Sequence, residues 1–541
     1  MSNIPVPDSN LNNSKTTLPK ERTNVVIDSN SSSIEVTLEE CFFSKSVFFY
    51  CAIAAFGGFS MGYDSGTISG IVNMKSFIES FGDNQSTGGK VLSDTKTGLI
   101  LSLFNIGCIF GSLVLAKLGD THGRRIGIIV SSIIYICGCT IQVTSVSKWY
   151  QFMIGRIVAG SAVGACTVLC PMIIAESSPK QIKGTTIIGF QLNCVIGVFI
   201  GSCITYQTKT YKNNNQWRIP VACGIAWGTL LIIGMIFMPE SPQYLINNNQ
   251  IEKARASIAK CYNTSPENPH ISNEIRALQE ELAIIKASGP SSWKDIIFGN
   301  PKIFLRVIVG MMLQALNQLS GINYFFYFGV KIFKQVGIDS YITTIILSVT
   351  NIVGTLVGVY IVERVGRRVC LLTGATCMAV CFLIYTCIGS FGFYVQGHLG
   401  PTNATGGYGL IFITNLFIFS YAATFGGCIY TVVAVLYPLN IRTKAISLTS
   451  IQLFLWAFII GMLTPTISSK IHFFYGFVFF GCLLFSIAFI YLFVPETKGL
   501  GFEDVDEMYA ANIPAWKSSS WKPSPKAYLE DIIIINTESK C

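Results

Sequence analysis

Six side chains in one apolar stretch, Gln314, Asn317, Gln318, Asn323, Tyr324 and Tyr327, carry amides and phenols. Each group both donates and accepts hydrogen bonds, and none is charged at neutral pH. A few amides in an apolar helix serve to join it to a neighbour, but this density goes beyond what helix pairing needs. Convergent uncharged donors and acceptors suit a small neutral ligand. Geometry adds a condition. At 100° per residue Gln314, Asn317, Gln318 and Gly321 share one helix face, whereas Asn323 lies about 140° away from Gln318. One ligand reaches both only if the helix breaks near Ser320-Gly321, where a glycine permits it.

A second constellation is charged. FSMGYDSGTISG (59–70) holds Asp64 and GRIVAG (155–160) holds Arg156, each inside an apolar run. Entered from near Phe48, the first run carries Asp64 roughly 24 Å deep and to within ~10 Å of its far end. A later run entered from near Tyr150 puts Arg156 about 9 Å below that same surface. An isolated charge at the bilayer centre costs about 2.5–3.5 kcal/mol on insertion scales, so the two are expected to pair. The pair acts either as a structural lock between helices or as a proton site, Asp64 taking up a proton when Arg156 moves away. The residues leave both open.

The elements that must position these groups are membrane helices. The chain has 541 residues, 51% of them hydrophobic and only 12% charged, about half the charge fraction of a soluble protein. A hydrocarbon core of ~30 Å takes about 20 helical residues. Twelve apolar spans meet that length, near 48–71, 97–116, 126–146, 150–175, 185–206, 219–238, 303–330, 341–362, 369–391, 408–436, 445–468 and 472–494. The opening SNIPVPDSNLNNSK has no pattern of a secretory signal peptide, so the first span is expected to direct insertion.

The net charge of +9 is distributed rather than patched, which argues for orientation in a membrane and against nucleic acid. With the N-terminus inside, the short inner loops collect Lys117, Arg124, Arg125, Lys180, Lys183, Arg364, Arg367, Arg368, Arg442 and Lys444. That asymmetry predicts two cytoplasmic termini. The sequons at Asn84 and Asn403 then fall outside and are candidate glycosylation sites, while those at Asn12, Asn30 and Asn263 fall inside. The eighteen cysteines lack metal-ligand spacing and read as packing residues, and His122, His270, His398 and His472 make no ligand cluster. No metal, cofactor or nucleophile–base–orienter constellation is expected, so the chain does not read as an enzyme.

The organisation is a tail (1–45), six spans (46–238), a hydrophilic linker (239–302), six spans (303–494) and a second tail (495–541). The first tail reads as disordered. In the linker, IEKARASIAK and ISNEIRALQEELAIIKA have the spacing of amphipathic surface helices. The two sets of spans repeat. GDTHGRR (119–125) answers VERVGRR (362–368), Pro179 with Lys183 answers Pro438 with Arg442, and PESPQYL (239–245) answers PETKGL (495–500). Three correspondences in register predict two homologous bundles with a site between them near the midplane.

Together with GYDSGTISG (62–70), GRIVAG (155–160), PMIIAESSPKQIKG (171–184), WRIP (217–220), QALNQLSGINYFFYFG (314–329) and PETKGLGFEDVDEMY (495–509), these motifs resemble the sugar porter branch of the major facilitator superfamily. Fungal hexose transporters are the nearest pattern. The resemblance covers about residues 45–510. It implies an all-α membrane protein with twelve transmembrane helices in two pseudo-symmetric six-helix bundles. The bundles would rock around a hexose by alternating access, with no cofactor. The partners would be a sugar and the lipid bilayer, and the chain would work as a monomer in the plasma membrane.

The same resemblance carries sugar contacts onto Gln191, Asn317, Gln318, Asn323, Asn351 and Tyr430, beside which Gln314 lies on the amide face. Asn317 stands where a longer glutamine is usual, FGGCIY (425–430) lacks the usual tryptophan and proline, and LFLW (453–456) lacks the usual Asn-Trp at its first two positions. Arg124 and Arg125 with Glu176, and Arg367 and Arg368 with Glu496, are expected to form ion pairs between span ends that close the inner side of the outward-facing state. Val435 replaces an expected acid, so the second network should be weaker by roughly 0–1 kcal/mol. Facilitated diffusion leads; proton-coupled sugar or polyol symport and a non-transporting sugar sensor are the alternatives.

Overall fold

The computed structural model describes residues 45–84, 89–146, 148–178, 183–287, 293–299, 302–326, 340–395, 398–399, 404–438, 441–500 and 502–522. Expectations for the first tail, Tyr327, Lys180 and Asn403 lie outside the described residues. Among the described residues, eleven helical runs are long and apolar enough to cross a membrane: Ser46–Ile71, Asp94–His122, Arg124–Val143, Trp149–Ser177, Thr186–Thr208, Asn215–Phe237, Ile303–Phe326, Tyr341–Val362, Arg367–Phe391, Gly407–Leu436 and Lys444–Phe493. The last run is 50 residues long, more than twice what one crossing needs. It is two helices, Arg442–Ile471 and Gly476–Phe493, joined by a 3₁₀ turn at His472–Tyr475. Among the described residues the spans therefore number twelve, as the hydropathy reading expects.

Small residues let the spans approach closely. The glycines of GYDSGTISG face the fifth span, where a Cβ on Gly62 would stand 1.7 Å from the carbonyl oxygen of Cys194. With little hydrophobic drive between helices in lipid, such backbone approach is what holds them together. The second span is longer than its apolar core suggests. It continues through a π-helical turn at Gly111–Leu115 into Lys117–His122, and Gly111 packs directly on the Ser161 backbone of the fourth span.

The linker supplies the helices Pro242–Asn247, Ile251–Tyr262 and Pro269–Ala287. They bury Leu245, Ile246, Ala254, Ile258, Ile271 and Ile275 against one another, the faces their spacing predicts. On the opposite side of the protein short hairpins pair Asp83–Asn84 with Lys90–Val91 and Tyr394–Val395 with His398–Leu399. Asn84 is exposed there. Beyond the twelfth span a helix at Phe502–Ala510 packs back on the bundle through buried Val505 and Met508.

Candidate functional site

A cavity of about 260 Å³ opens on the linker side between the two sets of spans. Gln191 of the fifth span, Gln314 of the seventh and Tyr430 of the tenth line it, with Thr167, Thr449 and Ser450. Arg124, Glu176, Gln243 and Tyr244 stand at its mouth. The buried Oε1 of Gln314 has no hydrogen-bond partner among the described residues, and an unmet buried acceptor costs about 1–3 kcal/mol unless water or a ligand fills it. On the far side the two sets of spans touch. Tyr341 Oη donates to the Gly70 carbonyl (3.2 Å), Lys209 Nζ lies 5.0 Å from the Tyr341 ring, and Gly98 packs on the Met462 backbone.

Asn317, Gln318, Asn323 and Asn351 do not line this cavity. The three on the seventh span sit farther toward the sealed side. The helix Ile303–Leu319 ends at Ser320, Gly321 adopts φ +88°, and a helical turn resumes at Ile322. The break lies where the amide geometry requires it, and it lets Asn323 Nδ2 donate to Gln318 Oε1. Asn317 Oδ1 accepts from Tyr421 Oη at 2.7 Å. Tyr421 is a residue that sequence reading missed. Its signal was available: a phenol buried in an apolar span needs a polar partner. The π-helical turn Ala422–Gly426 directly follows it and runs into FGGCIY (425–430), the stretch that departs from the expected pattern. Asn351 is buried in the middle of the eighth span.

Asp64 and Arg156 pair as expected. Arg156 Nη1 lies 2.7 and 2.9 Å from the two carboxylate oxygens, and its Nε donates to the Ile100 carbonyl at 2.9 Å. The guanidinium also stands 4.8 Å from the Phe104 ring. One arginine thus ties the first, second and fourth spans.

The arginine network differs from expectation in its partners. Arg124 reaches Glu176 with Nε at 3.2 Å and Nη2 at 3.3 Å, and Ser241 Oγ donates to the same carboxylate. Arg125 does not turn to Glu176; its Nε and Nη2 donate to the carbonyls of Met235 and Ile236 at 2.9 and 2.8 Å. Glu496 likewise meets Arg367 and Arg368 through their backbone N–H groups, at 3.0 and 3.1 Å. Arg367 Nη1 goes to Thr497, and Arg368 Nη2 to the Tyr491 carbonyl. The physical reason is helix capping. Span ends leave unpaired N–H and C=O groups, so a carboxylate serves the first and a guanidinium the second.

This capping repeats in the two halves. Glu240 Oε1 accepts the Arg125 N–H at 3.1 Å, as Glu496 does in the other half. Gly123 and Gly366 precede the two helices with φ +105° and +109°. A Cβ there would stand 2.4 Å from Glu240 Oε2 and 2.7 Å from Glu496 Oε2. The Gly-Arg-Arg and Pro-Glu motifs are therefore two parts of one joint. Val435 stands where an acid was expected, and Arg367 Nη1 donates to the carbonyl and hydroxyl of Thr497. Arg124–Glu176 stays intact while the cavity is open beside it, so this pair braces one half and does not by itself close the linker side.

A family model described as sugar (and other) transporter matches residues 50–509. A low-affinity glucose transporter of Kluyveromyces lactis is 44% identical over 479 residues, 88% of this chain and 84% of that protein. A hexose transporter of Saccharomyces cerevisiae is 42% identical over 97% of this chain and 92% of its own length, and a high-affinity hexose transporter of the same yeast is 44% identical over 87% and 83%. Among solved structures, the proton:xylose symporter XylE bound to 6-bromo-6-deoxy-D-glucose matches with a TM-score of 0.72 at 22% identity, covering 86% of this chain and 99% of that one. XylE of E. coli in a partially occluded inward-open conformation matches with a TM-score of 0.70 at 22% identity, over 84% and 99%.

Proposed function

Since the chain belongs to the sugar transporter family and has the major facilitator fold, we propose that it carries a hexose such as glucose across the plasma membrane by facilitated diffusion. It is a transporter and not an enzyme. The observation that carries the site assignment is the cavity between the halves, where Gln191 and Gln314 offer amides and Tyr430 a ring to one volume. Hydroxyls pair with amides, and the apolar C–H faces of a sugar lie on rings. Gln318, Asn323, Asn317 and Asn351 complete the site when the far side opens and the linker side closes.

With both termini cytoplasmic, the cavity opens to the cytoplasm. The two halves, 46–238 and 303–494, are the rocking bodies, each braced by its own capping joint, and one chain suffices. Asn84, exposed among the described residues, is a glycosylation site.

Counterflow tests the transport reading. Vesicles containing the protein and preloaded with unlabelled glucose should transiently accumulate labelled glucose above its equilibrium level; a flat trace would contradict it. A second expectation concerns Tyr421. Tyr421→Phe keeps the ring and frees the Asn317 amide, so competition among hexoses should change by roughly twofold to tenfold, the worth of one hydrogen bond. An unchanged competition profile would contradict a role for this bond in selectivity.

A further inference from the structure

Arg306 opens the seventh span, two turns before Gln314, and its side chain is fully buried. A buried guanidinium needs its charge answered and its donors used. Nε donates to the Leu436 carbonyl at 2.7 Å, and Nη2 lies 2.5 Å from Asp506 Oδ1. Its carbon stands 4.9 Å from the Tyr509 ring centroid. Leu436 ends the helix Gly427–Leu436, so its carbonyl is one of the unpaired acceptors at the negative end of a helix dipole. Asp506 and Tyr509 are on Phe502–Ala510, beyond the last span. Burial pushes the Tyr509 phenol up to about 12, so that ring is neutral and Asp506 supplies the negative charge.

The seam continues one turn on. A Cβ on Gly310 would stand 1.8 Å from Tyr437 Oη, so the tenth span's end lies tight on the seventh. From this seam Gln314 and Tyr430 reach the cavity, about 12 Å and 9 Å along their helices from Arg306 and Leu436.

We propose that Arg306 is a positioning residue for the sugar site, steered by the C-terminal helix: Asp506 holds the guanidinium on the Leu436 carbonyl and so fixes the seam between the seventh and tenth spans. The partner that sets the geometry of the site is a segment outside the twelve spans. This assignment rests on the hexose-transport reading for its kinetic consequence, though not for the seam itself.

Asp506→Asn and Asp506→Ala are the variants of choice, because Asp506 is partly exposed and Arg306 is not. Two measurements are made on the full chain. In uptake assays both variants should raise the apparent KM for glucose by about three- to tenfold, with turnover per surface transporter near wild type and Asp506→Glu restoring the KM. A KM unchanged in all three variants, with only abundance reduced, would overturn the positioning role. Hydrogen exchange on the purified protein reads the seam without any sugar. Exchange at residues 303–312 and 430–437 should rise in Asp506→Asn while residues 166–178 of the other half stay protected. Unchanged exchange at the seam would overturn the proposal whatever the substrate proves to be.

Discussion

Arg156→Ala should remove most of the folded protein from the cell surface, and the double variant Asp64→Asn with Arg156→Gln should bring much of it back. Arg156 is buried against Asp64 with both carboxylate oxygens within 2.9 Å. Deleting one member of a buried ion pair costs about 3–5 kcal/mol because the other is left charged in a medium that cannot solvate it. Total stability is only about 5–15 kcal/mol. The single variant also removes the hydrogen bond from Arg156 Nε to the Ile100 carbonyl. Neutralising both partners removes the stranded charge, which is why the pair is expected to be more tolerable to lose than its half. Surface labelling and the melting temperature of the solubilised protein measure both. Equal abundance of Arg156→Ala and wild type would contradict the pairing account.

Gln318→Ala should leave surface abundance intact and raise the apparent KM for hexose by about tenfold or more. The alanine removes the amide proposed above to meet the sugar and also the acceptor of Asn323 Nδ2. A single buried hydrogen bond contributes about 0.5–1.5 kcal/mol, and an unpaired buried partner costs about 1–3 kcal/mol more. Tenfold corresponds to about 1.4 kcal/mol, so the two effects together exceed it. Uptake with a normal KM would remove Gln318 from the site.

Most of the fold is legible in the sequence because a bilayer imposes one length on every crossing and leaves backbone groups no partner but the helix itself. The twelfth span shows the limit. Hydropathy separates it from the eleventh, while the helix trace runs on through His472–Tyr475 with little interruption. The break after Leu319 is also legible, since Gln318 and Asn323 cannot share a ligand on an unbroken helix. Partner choice is less so. Gly-Arg-Arg and Pro-Glu could be found as repeats, yet charge alone pairs Arg125 and Arg368 with carboxylates. The structure sends their side chains to carbonyls at the ends of the sixth and twelfth spans, because those acceptors belong to every helix end and leave no mark in a sequence. The partners of Tyr421 and Asp506 are hidden for a related reason: a buried phenol or a carboxylate signals that it needs a partner, but each finds it about a hundred or more positions away, and one sequence does not say where.

The proposed activity is equilibration of a hexose across a membrane without an ion gradient. Uptake of labelled glucose should be followed in cells that lack their own hexose carriers and express the full chain, across a range of pH, with and without a protonophore, beside Asp64→Asn. A facilitator gives saturable uptake that levels off when inside and outside concentrations are equal, is competed by other hexoses and is blind to the protonophore. Accumulation above the outside concentration that collapses with the protonophore and is absent in Asp64→Asn would contradict it, and so would a chain present at the surface that moves no hexose at all.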